Sequence, residues 1–207
     1  MRGKFISIEG GEGAGKSTVI AAIVQALGQH GLEVVQTREP GGTPAGEAIR
    51  TLLLDPARTL AAETELLLMF AARAQLVREL ILPALARGAV VVSDRFTDAS
   101  FAYQGGGRGI EMGRIAELER WAAGIKPDLT FLLDVGVDEG LARARSRGGE
   151  LDRIERERSD FFERVRATYL SRAAAEPGRF RVIDASQPAS AVVAAVTRAL
   201  SEWRTRA

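Results

Sequence analysis

The chain has 207 residues, with 28 Lys and Arg against 27 Asp and Glu and a formal net charge of +1. Such a balance gives no global pull toward nucleic acid or a membrane, so any electropositive feature must be local. Its 46% hydrophobic content is that of an ordinary globular domain with a sizeable core. Cysteine is absent and His30 is the only histidine, which excludes disulfides, thiolate or multi-histidine metal sites and any Cys- or His-based triad. Asparagine is absent as well.

Residues 1–4 run straight into a strand-like stretch with no apolar h-region, so no signal peptide is predicted. No apolar run approaches membrane-spanning length, and the chain is expected in the cytoplasm. Five β-branched runs, residues 4–9, 33–37, 89–94, 129–135 and 180–184, predict strands. From Lys16 onward Val19, Ile20, Ile23, Val24 and Leu27 follow helical spacing and stop near Gly28 and Gly31. The second strand leads into a Gly/Pro loop over residues 39–44. A longer helix is predicted over 63–80, carrying Leu66, Leu67, Phe70, Ala74 and Val77. The run Ala89-Val90-Val91-Val92 is apolar without alternation, as in a strand covered on both faces. Residues 143–158 are dense in charge, with Gly148 and Gly149 in the middle and little to bury, and read as an exposed, mobile segment. Strands alternating with helices, without repeats or a low-complexity linker, predict one α/β domain over residues 1–207. The predicted architecture is three-layered, a five-stranded parallel sheet flanked by helices, plus the mobile segment at 143–158.

Gly10-Gly11-Glu12-Gly13-Ala14-Gly15-Lys16-Ser17 fits G-x-x-x-x-G-K-[ST] at every fixed position, after a predicted strand and before an amphipathic helix. The glycines let the backbone wrap closely, so that its N–H groups, up to Thr18, point at phosphate oxygens. The helix N-terminus adds its dipole to the same anion site. Lys16 is placed to reach the β/γ-phosphates of ATP, and Ser17 to offer its hydroxyl to Mg²⁺. The missing asparagine excludes the Asn-Lys-x-Asp guanine motif and the protein-kinase catalytic loop. The third strand ends in Ser93-Asp94-Arg95, on the ligand-binding edge of a parallel sheet. Asp94 is thereby a candidate to hold the metal through water, and Arg95 to grip an acceptor phosphate. The arginines of the charged segment suit a closing lid that excludes water and stabilises charge on a transferred phosphoryl.

With these pieces in view the chain resembles bacterial thymidylate kinases over nearly its whole length. The resemblance is carried by residues 8–17, Thr37-Arg38-Glu39-Pro40-Gly41-Gly42-Thr43, Phe70-Ala71-Ala72-Arg73-Ala74-Gln75, Asp94-Arg95-Phe96, residues 102–109, Leu151-Asp152-Arg153-Ile154-Glu155 and Asp160-Phe161-Phe162. It implies transfer of the γ-phosphoryl of ATP to dTMP, with Mg²⁺, no nucleic-acid or membrane partner, and a homodimer. It further implies that Phe70 stacks on thymine, although periodicity alone reads Phe70 as core. Arg73 would bond a thymine carbonyl, Ser100 and Gln104 the base edge, while Tyr103 crowds the sugar 2′ position. Glu12 would face the acceptor sugar, and Arg38 and Arg95 would clasp its phosphate. The P-loop has no arginine between Gly10 and Gly15, so the chain resembles the members whose catalytic arginine sits in the lid, here Arg147 or Arg153. Two departures stand out: Ala99 where relatives carry serine, and Gly148-Gly149 where they have one glycine. Residues 184–187 are the expected adenine contact by position. The rivals are a kinase for another monophosphate and a P-loop switch that hydrolyses ATP without an acceptor.

Overall fold

The computed structural model describes residues 2–146, 148 and 152–206. Five strands form one parallel sheet: β1 (Phe5–Gly10), β2 (Val34–Arg38), β3 (Val90–Asp94), β4 (Leu129–Asp134) and β5 (Phe180–Asp184). Their order is β2-β3-β1-β4-β5, and each departs by at most one residue per end from the run that predicts it. The chain winds from β1 out to one edge and back, then to the other edge. The C-terminal end of β1 is therefore the point where the winding reverses, the place where open α/β sheets bind ligands.

Alternation along β1 divides the core. Ile6 and Ile8 face α1 (Lys16–Gln29) and α9 (Ala189–Arg206), packing on Ile20, Ile23, Val196 and Leu200. Phe5, Ser7 and Glu9 face the other layer, where Phe5 meets Leu76, Ile81 and Phe96. That second layer contains α2 (Pro44–Leu54), α3 (Ala62–Leu76), α4 (Leu82–Ala86), α5 (Thr97–Ser100), α6 (Met112–Leu118) and α8 (Ser159–Ala175). The helix expected over 63–80 appears as α3, a π-helical turn at Val77–Ile81, and then α4. Pro83 explains the break: it has no N–H to return to the carbonyl four residues back, so the turn before it widens.

A second π-helical stretch, Phe101–Gly107, continues α5 and lies directly against α8. A Cβ on Gly106 would sit 2.1 Å from Thr168 Oγ1, and one on Gly107 would sit 2.4 Å from the Phe161 ring. The glycine run after Gln104 is thus a close-packing requirement, and Arg164 seals it by donating to the carbonyls of Gly106 and Gly107. Helix α7 (Val137–Ser146) leads into the charged segment. The far half of that segment is less exposed than its composition suggests, since Ile154 is buried with Phe161 and Phe162.

Buried Glu9 couples this layer to the sheet. It accepts from Phe96 N–H at 2.7 Å and from Tyr169 O–H at 2.8 Å. Burial, aided by the Asp98 charge and opposed by Arg95, pushes its pKa up to about 8. The folded chain thus keeps a proton that the unfolded chain releases near 4.5, and this group's contribution to stability falls as pH rises from there through 8. The expected result for Glu9→Gln is a melting temperature close to wild type at pH 4.5 and about 3–6 °C above it at pH 9. A variant that loses more stability at pH 9 than at pH 4.5 would refute this assignment.

Candidate active site

The loop after β1 wraps back on itself because three glycines take positive φ: Gly10 at 139°, Gly13 at 69° and Gly15 at 87°. Neither Gly10 nor Gly13 has room for a Cβ, which would lie 2.5 Å from Leu133 O and 2.0 Å from Gly140 O. Helix α1 starts at Lys16 with left-handed Gly15 as its N-cap and no side-chain cap, so its first N–H groups remain for an anion. Ser17 and Thr18 in that first turn are exposed. The Lys16 ammonium folds over the loop and donates to Gly10 O at 3.3 Å and Gly11 O at 2.9 Å. Packing around it, followed by the neighbouring Arg95 cation, lowers its pKa.

At the end of the adjacent strand, Asp94 Oδ1 is buried without a hydrogen-bond partner. Arg95 follows with φ of 70°, the one described non-glycine residue with positive φ, an arrangement that costs about 1 kcal/mol and usually marks a functional constraint. The turn aims its guanidinium back at the loop. Arg95 donates to Gly10 O at 2.8 Å, Glu12 Oε1 at 2.7 Å, Tyr103 Oη at 3.0 Å and Tyr169 Oη at 3.2 Å.

Lys16, Asp94, Arg95, Glu12 and Tyr103 line a cavity of about 500 Å³, the size of a small-molecule site. Glu12, Gly13, Ala14, Gly15, Lys16, Ser17 and Thr18 form one wall. Arg38, Arg73, Asp94, Arg95, Ser100, Tyr103 and Gln104 are on the same cavity, so fourteen of the residues singled out from sequence converge. Arg73 is buried and donates to Glu39, to Ser100 Oγ at 3.0 Å and to Phe96 O at 3.2 Å. Gln104 donates to Glu65 at 2.8 Å. Arg38 lies at the exposed rim, paired with Glu47 at 2.9 Å.

Four of the described residues singled out from sequence lie off this cavity. Phe70 belongs to a buried cluster with Leu66, Phe101 and Ile115, with the Arg73 guanidinium 4.4 Å from its ring centre, as its periodicity suggests. Arg153 is turned away from the cavity wall: it donates to Leu53 O at 2.8 Å and pairs with buried Glu65 at 2.7 Å. Arg147 falls outside the described residues. Gly10 and Gly11 instead border a smaller pocket behind the loop.

Sequence reasoning passed over Glu39, Arg50 and Arg143, which also line the cavity. Burial raises the Glu39 pKa to about 7 against the opposing Arg73 charge. Arg50 donates to Pro40 O at 2.9 Å; burial, then the adjacent Arg38 cation, lowers its pKa against the charges of Glu47, Asp152 and Asp94. Its signal was legible, because Arg50 shares a helix face with buried Gly46 and Leu53 and a cation there needs a partner. Arg143 donates to Ala185 O at 2.7 Å and Ser186 O at 3.1 Å. It thereby fastens α7 to the 184–187 segment, which Asp184 closes by accepting from Ser186 and Gln187.

Comparison with known proteins agrees with this geometry. The thymidylate kinase family matches residues 8–196. A thymidylate kinase of Chromohalobacter salexigens is 58% identical over 97% of this chain and 96% of its own length. One from Pseudomonas entomophila is 56% identical over 95% and 94% respectively. The crystal structure of thymidylate kinase from Ehrlichia chaffeensis superposes with a TM-score of 0.80 at 31% identity, covering 97% of this chain and 99% of that one. The family match over nearly the whole chain, and these relatives, show that the chain belongs to the thymidylate kinase family.

Proposed function

We propose that this protein is an ATP-dependent thymidylate kinase, converting dTMP and ATP to dTDP and ADP as a step toward dTTP. The observation that carries the reading is the single cavity in which a phosphate-binding loop faces Arg73, Ser100, Tyr103 and Gln104. A phosphate oxygen of dTMP forms the new bond to the γ-phosphorus as the bond to the ADP oxygen breaks. The nucleophile is already an anion, so no general base is required, and the protein's task is alignment and charge stabilisation.

Lys16 and the uncapped N–H groups of α1 hold the donor phosphates. Arg95 and Arg38 clasp the acceptor phosphate, with Glu12 beside the sugar. Tyr103 crowds the 2′ position, held in place by its bond to Glu12. Arg73, Ser100 and Gln104 read the pyrimidine, and Phe70, which the resemblance would stack on the base, braces the Arg73 guanidinium at 4.4 Å. The Ser17 hydroxyl and the unpartnered Asp94 oxygen are hard oxygen ligands that fit Mg²⁺ and would hold it, and the ion would supply charge neutralisation at the donor phosphates. Arg153 serves as a lid arginine only if closure releases it from Glu65 and Leu53 O; Arg147 is the other arginine proposed for this role.

Trp121 is 80% exposed, Leu67 57% and Met112 43%. Leu67 lies on α3 and Trp121 on the π-helical turn Glu119–Ala123 packed beside it, which supports a homodimer formed through this layer. The expected sedimentation result is a dimer for wild type and a monomer for the double variant Leu67→Glu, Trp121→Glu; a wild-type monomer at tens of micromolar would oppose it. No described helix is long and apolar enough to cross a membrane, and a working place in the cytoplasm, where ATP is supplied, suits the reading.

The test is coupled ADP release with ATP, Mg²⁺ and each of dTMP, dUMP, UMP, CMP, AMP and GMP. Preference for dTMP supports the reading. Preference for another monophosphate voids the acceptor assignments, and equal turnover without an acceptor leaves only an ATPase.

A further inference from the structure

A guanidinium has five N–H donors in a rigid plane, so what grips one edge decides what the other edge can reach. Arg73 is 2% exposed. Its plane is set by the Phe70 ring at 4.4 Å and the Phe96 ring at 5.5 Å. The Nε and Nη2 edge is taken by Glu39 Oε2, with both nitrogens at 2.7 Å, and Nη2 also donates to Phe96 O. Nη1 is left toward the cavity, where it donates to Ser100 Oγ at 3.0 Å. Each nitrogen thus makes one hydrogen bond, and Nη1 is the one bonded to a side chain of the cavity lining other than Glu39.

Glu39 is held as firmly as the arginine it grips. Its N–H donates to Asp94 O at 2.9 Å. The turn that follows is filled so closely that a Cβ on Gly42 would lie 2.4 Å from Thr37 Oγ1 and 2.7 Å from Leu76 Cδ1. A carboxylate placed only to neutralise Arg73 would pair both oxygens in the stronger fork geometry. Here Oε2 alone receives Arg73, and Oε1 is buried without a partner. The arrangement favours direction over neutralisation.

We propose that Glu39 is the positioning residue of the acceptor site: by holding the Nε/Nη2 edge of Arg73 it turns the Nη1 edge toward the pyrimidine carbonyl of the incoming monophosphate. This rests on the reading of Arg73 as the base contact. Glu39 acts on the base alone and only through Arg73.

The test compares wild type, Glu39→Gln, Arg73→Gln and the double variant in steady-state kinetics, with 2-deoxyribose 5-phosphate as a competitive inhibitor lacking the base. For Glu39→Gln the expected rise in KM for dTMP is about tenfold, the scale of one charge-assisted hydrogen bond. The kcat, the KM for ATP and the Ki of the abasic phosphate are expected to stay within about threefold, because the change affects only base binding. In the Arg73→Gln background the same substitution should add less than about twofold, since residues acting as a unit are non-additive. If Glu39→Gln does not fold, Glu39→Asp, which keeps the charge but withdraws it from Arg73, is expected to give the same pattern. An unchanged KM for dTMP in Glu39→Gln beside a raised one in Arg73→Gln overturns the role of Glu39. Unchanged values in both variants overturn the base contact itself. Multiplying effects in the double variant, or an equal rise in the abasic Ki, show that Glu39 acts otherwise than through Arg73 and also overturn the proposal.

Discussion

Arg95→Ala is expected to lower kcat/KM for dTMP by about 10²–10³-fold, the loss typical of removing one preorganised donor from developing charge. The side chain is the hub of the site, reaching the P-loop carbonyl of Gly10, Glu12, Tyr103 and Tyr169 from a left-handed backbone at the end of β3. Its removal takes the guanidinium at 2.7 Å from Glu12, and with it the clasp proposed for the acceptor phosphate. Arg95→Lys should recover only part of the activity, because an ammonium cannot span Glu12 and Tyr103 as the planar fork does. The KM for ATP should change little. A kcat/KM within fivefold of wild type for Arg95→Ala would show that the acceptor phosphate is held elsewhere.

The largest effect on stability is expected from Asp98→Ala. Asp98 is fully buried and receives Arg172 at 2.6 Å and Arg179 at 2.6 and 3.1 Å. It ties α5, which carries Ser100, to α8 and to the entry of β5. Removing one partner of a buried pair strands the other charge and costs about 3–5 kcal/mol. Arg179 keeps Glu176 at 3.0 Å, which points to the lower end, a fall of roughly 6–12 °C in melting temperature for a chain of this size. The contrast is Glu33→Ala, which breaks an exposed pair with Arg87 and should cost under about 1 kcal/mol. Differential scanning calorimetry of the two variants decides it; equal shifts would refute the claim that burial sets the difference.

Much of this was legible in the sequence because local patterns carried it. The P-loop residues 10–17 need their glycines for steric reasons that hold wherever the strand-loop-helix occurs, and the apolar strands announced a sheet covered on both faces. Long-range polar pairing was not legible. Nothing near Arg153 in sequence indicates that Glu65 holds it, because the partners are 88 positions apart and only the approach of the charged segment to α2 and α3 joins them. Glu39 read as part of a Gly/Pro loop, and its role emerges only when β2 ends beside α3. Phe70 shows the reverse: its periodicity indicated core, and it is buried against Leu66 and Phe101. The π-helical turn at 77–81 escaped the helical pattern because one proline shifts the hydrogen-bond register without disturbing apolar spacing.

The central claim is that donor and acceptor phosphates meet in one cavity and the phosphoryl group passes directly between them. Phosphorus NMR of the protein with ATP, Mg²⁺ and dTMP tests it most directly. The account predicts that dTDP resonances grow in step with those of ADP, with no inorganic phosphate. Inorganic phosphate accumulating while the dTMP signal stays constant would contradict it.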